Sequence, residues 1–84
     1  MDETRKAIEF YEPHLVFARQ IGGRRGEGIA SLNIALALYS LEEKDRAIGL
    51  VKQALEIFEA IESLYAKLAR KKLKEWGTLG KDEV

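Results

Sequence analysis

Apolar residues recur along most of this chain at spacings of three and four, the interval that lines side chains up on one stripe of an α-helix. Between Gly28 and Leu64 two such patterns follow one another across the polar turn Glu42 to Asp45. In the first, Ile29, Leu32, Leu36 and Tyr39 form one stripe, and Ala30, Ile34, Ala37, Leu38 and Leu41 fill a second. A helix apolar on both sides is normally enclosed by others, so this segment reads as the central helix. The second pattern puts Ala47, Val51, Ala54, Leu55 and Phe58 on one face and Lys52, Gln53, Glu56 and Glu59 on the other. That helix has one wet side. Ala35, Ala47 and Ala54 fall where a neighbouring helix must come close, since packed axes lie about 8 to 10 Å apart depending on the side chains between them.

A first helix precedes this pair, with Ala7, Ile8, Tyr11, Leu15 and Ala18 on one stripe and Phe10, His14, Phe17 and Ile21 on the next. Pro13 lies inside it and cannot donate to the carbonyl of Glu9, which predicts a kink or a break restarting at the proline. Gly22 and Gly23 end the helix as C-terminal caps do. A last stripe runs through Tyr65, Leu68, Ala69, Lys72, Leu73 and Trp76 and stops at Gly77. Ser63 can cap it as a separate helix, although a helix continuous with the preceding one fits the pattern as well. The expectation is an all-α fold of four helices, over about 3–21, 24–41, 44–61 and 63–76, forming one domain at 1–77 with a flexible tail at 78–84.

Composition narrows the class. With 84 residues there is room for one domain, and 46% hydrophobic with 33% charged residues is the balance of a soluble helical protein. Fourteen basic and fourteen acidic residues cancel, so no global field draws the chain to nucleic acid or an anionic membrane. The absence of cysteine removes disulfides, thiolate metal sites and cysteine nucleophiles, and fits a cytoplasmic location.

Candidate chemistry is sparse. Gly22, Gly23, Gly26 and Gly28 lack the lysine and hydroxyl of a phosphate-binding loop and have no strand before them, so helix ends and close contacts explain them better. His14 is the single histidine, with neither the ligand set of a metal site nor a partner nucleophile, and reads as a partly buried helix residue. Arg70, Lys71, Lys72 and Lys74, with Trp76 nearby, form a basic cluster that nucleic acid could use; the polar outer face of a terminal helix accounts for it more simply. No catalytic, cofactor-binding or metal-ligating residue is expected, and no enzymatic activity.

The first and third helices repeat one another at an offset of 40: Ala7 and Ile8 match Ala47 and Ile48, Leu15 matches Leu55, Ile21 matches Ile61, and Phe10 and Phe17 correspond to Leu50 and Ile57. Such a period is the mark of a helical repeat. From Lys6 to Ile61 the chain resembles the tetratricopeptide repeat, in its variety with units of about forty residues. Asn33 and Ile34, Leu38, Ala47, and Ala54 with Leu55 fall on conserved positions of that pattern. Ala35 stands where a packing glycine is usual, Glu42 where the turn glycine is, and His14 where a small residue is.

The resemblance implies antiparallel helical hairpins stacked as a short α-solenoid that serves as a protein-interaction scaffold. It further implies a concave face along Ile29, Leu32, Leu36, Tyr39 and Ser40 that receives an apolar peptide or helix of unidentified origin. The unit then starts on the second helix of a repeat, leaving Phe10, Tyr11 and Phe17 as candidate dimer contacts and a homodimer as the expected assembly. Homo-oligomerisation through the same face, or nucleic-acid binding through the basic last helix, are the alternative functions.

Overall fold

The computed structural model describes residues 2–77, and every regular element among them is a helix: α1 (Asp2–Ile21), α2 (Arg24–Ser40), α3 (Lys44–Ala60) and α4 (Tyr65–Glu75). The expected tail at 78–84 lies outside the described residues. Each helix packs on the next in sequence.

The connections are short because each helix stops in the same way. At the end of α1, α2 and α3 one residue takes a left-handed conformation: Gly22 at φ 71°, Glu42 at φ 68° and Glu62 at φ 56°. Around each, two backbone bonds close the helix end. Gly23 donates to Ala18 and Gly22 to Arg19; Glu43 donates to Leu38 and Glu42 to Tyr39; Ser63 donates to Phe58 and Glu62 to Glu59. These pairs form the Schellman motif, which satisfies carbonyls that the helix leaves without partners. The three turns recur every 20 residues, so the 40-residue offset in the sequence is two helix-and-turn units. Glycine occupies only the first. Glutamate carries the strain at the other two.

α3 and α4 are therefore separate helices, and Ser63 assists the restart: its hydroxyl oxygen accepts the N–H of Tyr65 at 3.1 Å. Pro13, by contrast, does not break α1, which runs continuously through it. The proline is exposed, where the Glu9 carbonyl it leaves unbonded can turn to water.

The core is centred on the α2–α3 contact. Ala35, Ala47, Val51, Ala54 and Phe58 are fully buried, as the pattern of small and apolar residues predicts. The closest approach is at Gly28 of α2, where a Cβ would lie 2.6 Å from Cε1 of Phe58. The glycine is needed there for space, since only a residue without a side chain admits the Phe58 ring. Contact between the start of α2 and the end of α3 makes these helices antiparallel. α4 packs on α3 with Ala66, Ala69 and Leu73, all buried, and Arg70 of α4 pairs with Glu59 of α3.

α4 also lies alongside α2. Arg25 sits over the ring of Tyr65 near the start of both helices, 5.9 Å from its centroid. Tyr39 stacks on Trp76 at the far end, with centroids 4.1 Å apart and planes 7° from parallel. Start meets start and end meets end. α2 and α4 thus run in the same direction, and these side chains link them at either end.

Candidate functional site

Two regions of large apolar side chains remain exposed, and they lie at opposite ends of the helix order. On α1, Phe10, Phe17 and Ile21 are 60%, 60% and 63% exposed. With His14 they occupy positions 10, 14, 17 and 21, one stripe of the helix. Beyond α3, Leu64, Tyr65 and Leu68 are exposed with Ile61 beside them.

The α1 stripe borders a groove of about 450 Å³. Tyr11, His14, Phe17 and Ile21 form one wall, and Ile29 and Ala30 of α2 form the other. Gly26 and Ala18 also line it, and a Cβ on Gly26 would stand 3.7 Å from Cβ of Ala18. At one end, Glu27 accepts bonds from Arg19 at 3.2 Å and Arg24 at 3.0 Å. That carboxylate ties the last turn of α1 to the first turn of α2, where a negative charge also complements the helix dipole.

Rings stiffen its outer edge. Phe10 and Tyr11 meet edge to face at 5.2 Å, and the His14 ring lies 4.7 Å from Phe10. His14 Nδ1 is 2.7 Å from the carbonyl oxygen of Phe10. A carbonyl can only accept, so Nδ1 carries the proton. His14 is exposed, which corrects the expectation of partial burial: its ring is laid along the helix surface by this bond and by Phe10.

The second hollow, about 690 Å³, is lined by Arg25, Ile61, Ser63, Leu64, Tyr65 and Leu68. It is larger, but the Arg25 guanidinium already lies against the Tyr65 face. An apolar partner there must compete with a cation–π contact.

The stripe expected to form a concave binding face is differently placed. Leu32 is 5% exposed and belongs to the core. Tyr39 is covered by Trp76, with the Lys44 ammonium 5.5 Å from its ring. Leu36 is half-buried, and Ser40, although exposed, donates its hydroxyl to the Leu36 carbonyl at 3.3 Å. Of the five residues, Ile29 lines the groove between α1 and α2. Stripe spacing alone does not tell a residue facing a neighbour from one facing water. The candidate dimer contacts fare otherwise, since Phe10 and Phe17 are exposed and Tyr11 half-buried in one region. Ile21 belongs with them. Its place on the Phe10 stripe was the available signal.

The basic helix is partly neutralised. Arg70 pairs with Glu59 and Lys72 with Glu75 at 3.3 Å, leaving Lys67, Lys71 and Lys74 exposed without an ion pair among the described residues. No helix of the described residues is long and apolar enough to cross a membrane. No protein-family model, curated protein or solved structure matches this chain.

Proposed function

We propose that this protein is a tetratricopeptide-like interaction scaffold, built of stacked helical hairpins, that takes an amphipathic helix into the groove between α1 and α2. One observation carries this reading. Moved forward by 40 residues, the walls of that groove fall on Val51, Ala54 and Ile57 of α3, on Ile61 just after it, and on Ala69 and Arg70 of α4. α2 packs on α3 and meets Tyr65 and Trp76 at the two ends of α4. The inner part of this counterpart, Val51, Ala54, Ile57 and Ala69, is buried, and the element set against it is a helix.

The chemistry of the walls agrees. Aromatic and aliphatic side chains dominate, and apolar burial returns about 25 cal/mol per Å² before the cost of ordering the partner. A helix presenting residues at i, i+3, i+4 and i+7 suits such a surface. A chain without cysteine fits service in a reducing cytoplasm.

A labelled peptide of residues 24–42, the chain's own α2 sequence, provides a direct probe. Titration is expected to give saturable binding that Phe17→Glu weakens at least about tenfold, because the substitution places a charge against apolar walls. Binding unaffected by Phe17→Glu would remove the groove from consideration.

A further inference from the structure

We infer that the helix filling this groove is α1 of a second copy of the same chain, joined about a two-fold axis. The inference rests on the groove reading and names its occupant. Three observations select α1.

The first is direction. α2 runs antiparallel to α3 where it fills the equivalent position, as the contact of Gly28 with Phe58 requires. A two-fold axis perpendicular to α1 sets the second α1 antiparallel to the first. The incoming helix then has the same sense relative to its wall that α2 has to α3.

The second is the match of the stripe to itself. With the axis between Leu15 and Val16, position i on one helix stands level with position 31 − i on the other. Phe10 then meets Ile21, and His14 meets Phe17, so all four stripe residues find partners in one register.

The third is area. Aromatic side chains bury about 150–250 Å², so Phe10 and Phe17 at 60% exposure, with Ile21 at 63%, offer roughly 350 Å² per copy. Tyr11 and His14 extend this, and the pair reaches about 1,000 Å², the lower bound for a specific interface. The competing occupant, α4 of a second copy, fits less well. Its exposed Lys67, Lys71 and Lys74 would need to give up water to enter apolar walls.

Sedimentation equilibrium of the full chain from nanomolar to high micromolar concentration tests the assembly, with circular dichroism verifying that each variant keeps its helix content. A closed dimer is expected. Phe17→Glu, at an exposed position, should raise its dissociation constant about a hundredfold, since each dimer carries two substitutions of about tenfold each; Leu68→Glu on α4 should leave the mass unchanged. The register is read by cross-linking. The chain has no cysteine, so oxidation of the double variant Phe10→Cys/Ile21→Cys should give covalent dimers. The two positions are about 16 Å apart along one helix and cannot bridge within a chain.

A monomer at the highest concentration overturns the inference. In that case, binding of the residue 24–42 peptide by the same monomer preserves the helix-binding reading, and its absence ends both. Dispersal by Leu68→Glu, or a mass that grows without closing, would identify head-to-tail stacking instead. A dimer that never links positions 10 and 21 refutes the α1 register.

Discussion

Two segments of this chain, 40 residues apart, carry corresponding stripes and meet opposite fates. On α3, Val51, Ile57 and Phe58 are buried. Their counterparts on α1 are Tyr11, half-buried, Phe17, exposed, and Ala18, buried. What differs is the number of neighbours: α3 packs on both α2 and α4, while α1 packs on α2. Composition has followed that difference at the contact itself. Phe58 fills space that Gly28 leaves for it, whereas Ala18 leaves its own space open beside Gly26. Burial of a stripe is thus a property of the pair of surfaces, and the residues of one helix alone do not fix it.

The comparison can be broken most severely at the two aromatic positions. Phe58→Ala should cost about 3–5 kcal/mol, because it empties a closed site, whereas Phe17→Ala at low protein concentration should stay within about 0.5 kcal/mol. Urea denaturation of both variants decides this, and equal losses would mean that the two ends of the molecule are packed alike.

Close helix approach gives the next largest effects. Gly28→Ala drives a methyl into the Phe58 ring, and Ala47→Leu overfills a position that is fully buried; each should destabilise by about 1–3 kcal/mol. Gly49, on the exposed side of α3 with nothing within 4 Å of its Cβ site, should behave in the opposite way. Gly49→Ala is expected to stabilise by about 0.5–1 kcal/mol through helix propensity. A destabilised Gly49→Ala would place an unseen neighbour on that side.

A buried hydroxyl sharpens the contrast within α2. Ser31 is fully buried and its Oγ has no hydrogen-bond partner among the described residues. Ser31→Ala should therefore raise stability by about 1 kcal/mol, the lower end of the cost of an unsatisfied polar atom. A loss of similar size would show that the hydroxyl is bonded in solution.

The smallest expected changes concern the turns. Glu42 and Glu62 occupy left-handed positions that disfavour side chains. Glu42→Gly and Glu62→Gly should each stabilise by about 0.5–1 kcal/mol, the relief of backbone strain less the entropy that glycine adds to the unfolded chain. Gly22→Ala, at the equivalent turn, should shift the melting temperature in the other direction.

Much of this architecture was legible in the residues. The three-and-four spacing located all four helices, Gly22 and Gly23 marked a real helix end, and Ala35, Ala47 and Ala54 are fully buried. Glu42 was harder to read: it stands where a glycine eases the turn, and the left-handed geometry persists without one because two backbone bonds hold it. The stripe on α2 divides for a different reason. Ile29 and Leu32 share a stripe in sequence, but one lines a groove and the other lies in the core.

Sequence alone determined the helical class, the 40-residue period and the sites of close packing, because these follow from local spacing and side-chain size. Tertiary structure decided which apolar stripe stays open. Helix spacing assigns a residue to a face, but only the position of the next helix decides whether that face meets protein or water. α4 runs along α2 and covers Tyr39 with Trp76, while the outer side of α1 keeps Phe10, Phe17 and Ile21 in solvent.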